Sequence, residues 1–247
     1  MTMDVRVVSG FMALEPEDVW SLLQRSHPDV LTGQRTCSCG EADCTLDEVA
    51  TVIRKRGKPH FGISFEHDKP SEICYGHVRN YSHSLLTING LVVDLPDADI
   101  WIAPFAGLAC FREAWLLDTD YAHWQNAHDP LQYTAVGRSY AGFPMKSNGL
   151  PYPLEQQIID TSGNPGRRVI RDGYVEVVGS VMWLGEEFWP LTGASKQAVL
   201  AADWLRCEQL PHGVLRVQAA DAPFTAAEGA SGDLQDRLRA LLFPRSQ

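Results

Sequence analysis

Leu85-Leu86-Thr87-Ile88-Asn89-Gly90-Leu91-Val92-Val93 sets two short apolar runs on either side of an Asn-Gly pair. It is the strongest short hairpin signal in the chain, because Asn and Gly tolerate the positive φ that a type I′ turn demands. Read this way, the stretch puts two antiparallel strands at the centre of the molecule. The segments before it agree. Phe61, Ile63 and Phe65 alternate with small or polar residues, the mark of a half-buried strand, and Ile73–Asn80 reads as the next one.

Working outward, Val5–Val8 reads as an opening strand, and Pro16 starts a helix whose buried side is Val19, Trp20, Leu22 and Leu23. Thr45 and Glu48 form a capping-box pattern ahead of Leu46, Val49, Val52 and Ile53 at helical spacing, and Lys58-Pro59 ends that helix. From Ile100 to Trp124 the pattern is mixed and selects neither helix nor strand. Turn-forming residues dominate Phe143 to Gly166, read as a long ordered loop with a short helix at Leu154–Ile159, or as a linker. Val169–Leu184 is a helix or strand interrupted at Asp172-Gly173. Ser195 is placed to cap a helix reaching Gln209, Leu215, Val217 and Ala219 alternate in a last strand, and Leu234, Leu238, Leu241 and Leu242 stripe a closing helix capped by Ser231 or Asp233. Helices and strands mix without regular β-α alternation. The expected fold class is α+β, a mixed, mainly antiparallel sheet with several flanking helices. Residues 1–247 are taken as a single domain, because the strands on either side of the 143–166 loop would each make an incomplete sheet.

Charge is regional. Between Phe61 and Pro130 there are ten acidic residues and three lysines or arginines. Such a field attracts cations and basic protein faces and repels phosphate backbones and anionic lipid, so nucleic-acid and membrane partners are not expected. The short basic clusters Arg54-Lys55-Arg56 and Arg167-Arg168 do not reverse this. No apolar run is long enough to span a bilayer. The first residues lack a secretion signal, and the six cysteines show no paired framework, so a cytoplasmic protein with reduced thiols is the expectation.

Catalytic motifs are missing. There is no G-x-S-x-G and no phosphate-binding glycine loop. Cys37, Cys39 and Cys44 lack the matched gaps of a zinc knuckle, even with His27, His60 or Cys74 as a fourth ligand, and read as incidental thiols in a loop. His67-Asp68, His77, His83, His123 and His128-Asp129 leave one alternative, a small metal-dependent hydrolase on the central strands, in which His77 and His83 would share a face if Ile73–Ile88 were one strand. No H-E-x-x-H or comparable pattern supports it. Neither cofactor nor metal is expected.

The acidic stretch itself reads as a partner face. Asp94, Asp97 and Asp99 gather beside Trp101, and Asp118 and Asp120 lie between Trp115 and Tyr121. Carboxylates next to rings match an interface in which rings anchor and charges steer, with core burial of Trp101 and Trp115 as the competing reading. The expected partner-binding set is therefore Asp94, Asp97, Asp99, Trp101, Trp115, Asp118 and Asp120, with no catalytic residues.

One string in the C-terminal third carries more. Gly163-Asn164-Pro165-Gly166-Arg167-Arg168, Asp172-Gly173-Tyr174, Met182-Trp183-Leu184-Gly185, Phe188-Trp189-Pro190 and Thr192-Gly193 together resemble the bacterial proteins classed as immunity protein family 52. The likeness is clearest over residues 163–205. It implies a non-catalytic protein that neutralises a cognate polymorphic toxin by stoichiometric binding in the producing cell's cytoplasm. The toxin implied is a restriction-endonuclease-type nuclease delivered by contact-dependent or type VI secretion. Such a nuclease must present a cationic face, which the regional acidity would complement. The Trp183–Trp189 part is read as serving the fold, since aromatics tend to fill cores.

Overall fold

A computed structural model describes residues 2–65, 70–92 and 97–244. The chain is α+β, built on one ten-stranded sheet whose paired strands all run antiparallel. In chain order, the N-terminal half contributes β1 (Met3–Gly10), α1 (Pro16–Ser26), α2 (Pro28–Leu31), β2 (Thr36–Cys39), β3 (Ala42–Thr45) and α3 (Val49–Arg56). It continues with β4 (His60–Ser64), β5 (Glu72–Val78), β6 (His83–Leu91), α4 (Ala98–Ala106), β7 (Phe111–Asp118), α5 (Thr119–Asn126) and α6 (Pro130–Ala135). Then come β8 (Met145–Ser147), β9 (Gln157–Ile159), β10 (Val169–Arg171), β11 (Tyr174–Glu176), β12 (Val181–Leu184), α7 (Phe188–Thr192), α8 (Lys196–Leu200), β13 (Arg206–Gln209), β14 (Leu215–Gln218) and α9 (Gly229–Leu242). The sheet order is β13-β14-β12-β7-β1-β6-β5-β4-β2-β3, so strands from both sides of the 143–166 loop share one sheet.

Side-chain alternation along the strands sorts the core onto two faces. Met3, Val5 and Val7 of β1 pack with Val19, Trp20 and Leu23 of α1, Ile53 of α3 and Trp101, Ile102 and Phe105 of α4. On the opposite face, Val8, Trp115, Met182, Leu184, Leu215 and Val217 pack with Phe188, Val199, Leu238 and Leu242. That second layer is centred on β14, β12 and β7 and reaches β1 at Val8 and β6 at Leu85. Beyond it the same face of β5, β4 and β2 presents Ser38, Gly62, Ser64, Cys74 and Gly76, all half-buried or exposed.

Several local expectations change. Asn89-Gly90 is not a hairpin turn; both residues lie inside β6. The register against β1 slips there, from Val5↔Ile88 to Met3↔Leu91, so the pair forms a β-bulge. Gly90 sits at φ +72°, its N–H donates to Asp4 Oδ1 (3.2 Å), and a Cβ there would lie 2.4 Å from Ser71 Oγ. The real hairpin joins β5 to β6, with Val78 opposite His83, so Ile73–Ile88 is not one strand. No helix forms at Leu154–Ile159; Gln157–Ile159 is β9, paired with β8. Ser195 does cap α8, accepting from Ala198 N–H at 3.2 Å, but the helix ends at Leu200 and 206–209 are a strand. Neither Ser231 nor Asp233 caps α9, which starts at Gly229. Cys37, Cys39 and Cys44 lie on a β-hairpin rather than a loop, with all three thiols buried in the first core.

The capping box is as read. The Glu48 carboxylate accepts from the Thr45 N–H and hydroxyl, both at 2.9 Å. The Gly163–Arg168 string acquires a structural reason, since it docks on α5. Asn164 Nδ2 donates to Gln125 O (2.8 Å), Gly166 N–H to Gln125 Oε1 (3.1 Å) and Arg168 N–H to Asn126 Oδ1 (2.7 Å). A Cβ at Gly166 would fall 2.6 Å from Gln125 Cγ.

Candidate docking groove

α4 covers the first face over β1 and β7, and the sheet continues past it through β12, β14 and β13. The step between helix and sheet is a groove of about 430 Å³. Ile102, Ala103, Ala106 and Gly107 of α4 form its wall. Trp183, Arg216 and Glu208, direct neighbours across β12, β14 and β13, form its floor. Leu210, Pro211 and His212 of the β13–β14 connection close one end, where His212 holds φ +61°.

Asp99 ties wall to floor. Its Oδ1 accepts from Trp183 Nε1 at 2.8 Å and from Arg216 Nε at 3.0 Å, and the Arg216 guanidinium lies 5.8 Å from the Trp183 ring centre. The pair is half open to solvent: 41% of the Asp99 side chain is exposed against 12% of Arg216. Asp97, one turn-start earlier, is exposed, as is Glu208. The groove thus has an apolar wall, a floor in which Arg216 lies over the 1%-exposed Trp183, and two carboxylates, Asp99 and Glu208, against one guanidinium. Asp99 is engaged by Trp183 and Arg216 while Glu208 is exposed, so the lining carries one net negative charge, which favours cations over anions.

The predicted set does not gather at one place. Asp99 lines this groove, Asp97 is exposed two residues before it as the N-cap residue of α4, and Asp94 falls outside the described residues. Trp101 and Trp115 are 5% and 1% exposed and belong to opposite core layers, so neither is a surface anchor. Trp101 stacks on His27 at 3.7 Å between ring centres; burial holds that imidazole below its ordinary pKa, against a backbone hydrogen bond at Ile100. Asp118 is buried as the N-cap of α5, accepting from Tyr121 N–H at 2.7 Å. Asp120 is exposed, but it accepts from Trp124 Nε1 (2.9 Å) and pairs with Arg138 (3.3 Å).

His77 and His83 have fold partners, and His67-Asp68 falls outside the described residues. His77 Nδ1 meets Ser84 Oγ at 2.8 Å, and the fully buried His83 bonds the Tyr81 carbonyl at 2.8 Å. Burial lowers both imidazoles' pKa values. Among the described residues no group of three or more His, Cys, Asp or Glu side chains is arranged to hold a metal ion. No helix among them is long and apolar enough to cross a membrane.

Sequence reasoning missed Glu208, His212 and Arg216. An Arg between Leu215 and Val217 was the available signal, since its side chain must face away from the second core. It also missed an exposed apolar arm around the β8–β9 hairpin: Phe143, Met145, Leu150, Leu154 and Tyr152, the last 91% exposed.

No protein-family model matches the chain, and no curated protein matches it. Among solved structures, the Pseudomonas aeruginosa T6SS protein PA0821 is similar, with a TM-score of 0.54 at 10% identity over 98% of this chain and 73% of that one. The two share a fold.

Proposed function

We propose that this chain is an immunity protein that binds a cognate antibacterial toxin, a nuclease with a basic surface, and neutralises it by stoichiometric contact without catalysis. The observation that carries the reading is the α4 groove, where Asp99 and Glu208 line a recess with an apolar wall and a single guanidinium, that of Arg216. A nuclease's substrate face is rich in Lys and Arg, and one such side chain entering the groove would meet the Glu208 and Asp99 carboxylates beside an apolar wall. The fold shared with a T6SS protein and the resemblance to immunity protein family 52 favour the same role, in the cytoplasm of the producing cell. The exposed arm at Phe143–Leu154 supplies what Trp101 and Trp115 do not, a solvent-facing aromatic and apolar surface of the kind that anchors interfaces. The test is co-purification with the product of the neighbouring gene, followed by an assay of that product's nuclease activity. A 1:1 complex that abolishes cleavage is expected. Absence of a complex, or a substrate turned over by the isolated chain, contradicts the proposal.

A further inference from the structure

A second recess, of about 400 Å³, opens where α5 and α6 stand over the second face of β1 and β6. Its floor is Asp4, Arg6, Asn89 and Leu117; one wall is Thr119, Ala122, His123 and Asn126, continuing to His128 and Gln132; Arg168 closes the other side. The recess is cationic in an acidic chain, and its charges are unevenly used. Asp4 is committed: it accepts from Gly90 N–H (3.2 Å), Thr119 Oγ1 (2.9 Å) and Arg6 Nη2 (3.1 Å). Arg6 also donates to Thr87 Oγ1 at 3.0 Å, so its charge lies under the floor, half-neutralised. Asn126 spends its amide on the Ala122 and Gly166 carbonyls and the Arg168 N–H.

What remains free are donors. Arg168 is exposed and its guanidinium makes no hydrogen bond or ion pair within the described residues; only its backbone is anchored. Partial burial first, then the charge of Arg6, press its pKa down, with Asp4 pulling the other way. Of the two guanidiniums, only that of Arg6 is paired with the carboxylate of Asp4. His123 and His128 are exposed at the rim, and Gln132 is exposed beside them. His123 packs edge-on against Trp124. His128 has its Nδ1 3.4 Å from the Asn126 carbonyl, and its Nε2 makes no hydrogen bond among the described residues. Donors approach from three sides, which matches the several acceptor oxygens of a tetrahedral oxyanion better than the two in-plane oxygens of a carboxylate. A volume of this size suits a small ligand.

We infer that this recess is a phosphate site, in which Arg168 grips a phosphate group from one side, His123, His128 and Gln132 from the other, and Arg6 supplies charge beneath it. The shared chemistry is the phosphate itself, free or carried on a nucleotide.

The full chain is titrated with inorganic phosphate, a nucleoside monophosphate and succinate at fixed ionic strength, with calorimetry and the imidazole resonances of His123 and His128 as readouts. Saturable phosphate binding that shifts both imidazoles is expected, with Arg168→Glu weakening it by at least about tenfold. Arg54→Glu, which changes a surface cation on α3, should leave it unaltered. Tighter binding of the monophosphate identifies a nucleotide as the source, and equal or weaker binding identifies the free anion. Preference for succinate, no saturation, or equal loss in the Arg168→Glu and Arg54→Glu variants overturns the assignment.

Discussion

Asp97–Asp99 and Asp118–Asp120 look alike in the sequence, two Asp-x-Asp pairs each beside a tryptophan, yet the fold makes different objects of them. The first pair starts α4 on one face of the sheet, where Asp99 stays half open and bridges Trp183 and Arg216 across a groove. The second starts α5, where Asp118 turns inward to cap the helix and Asp120 is held by Trp124 and Arg138. Their tryptophans belong to opposite core layers. Charge density along a chain therefore does not measure charge density on a surface. What differs is where the partners come from: Asp99 is held by Trp183 and Arg216 of two distant strands across a groove, whereas Asp118 caps its own helix and Asp120 bonds Trp124 one turn along it.

The largest effect that tests this contrast lies in the rings. Trp101→Ala and Trp115→Ala each open a core cavity and should cost about 3–5 kcal/mol in urea unfolding. A cost under about 0.5 kcal/mol at either would return that ring to the surface and to the list of anchors. Next comes Glu113, wholly buried two residues before Trp115, whose carboxyl burial pushes up to about 8 against the Val175 N–H and nearby Arg112. The folded protein keeps this proton to about pH 8, while the unfolded chain releases it near the ordinary glutamate value. Stability should accordingly be fullest below that ordinary value and fall as pH rises through about 8, by a few kcal/mol, on the order set by linkage. Glu113→Gln keeps a carbonyl oxygen for Val175 N–H and should flatten the slope; an unchanged slope would place its origin elsewhere.

The carboxylates themselves give the smallest effects. Asp118→Ala removes a buried cap and should cost about 1–2 kcal/mol. Asp120→Ala removes an exposed pair and should cost under about 1 kcal/mol. Equal costs would erase the distinction between a structural aspartate and a surface one.

What the chain disclosed unaided follows the same physics. The capping box, the alternation in β4 and the opening strand were legible because each depends on neighbours a few residues away. Gly90 was legible as a positive-φ site but not as part of a bulge, since that depends on β1, whose Asp4, 86 residues earlier, accepts from its N–H. The 100–124 stretch gave no period because β7 is buried on both faces and α4 carries apolar residues both inward, at Trp101 and Ile102, and outward, at Ile100. The groove was invisible for a stronger reason. Asp99 meets Trp183 and Arg216 across 84 and 117 residues, and no local pattern marks such a meeting.

The central claim is that the α4 groove, not the α5 surface, receives the basic partner. Its most direct test is the association rate with the purified toxin, across a salt series, for Glu208→Lys and for Asp120→Lys. Both change exposed side chains and spare the Asp99 bonds that hold the groove together. The groove variant should associate more slowly, with a flattened salt dependence, and Asp120→Lys should behave as the parent. A loss of rate confined to Asp120→Lys would contradict the claim.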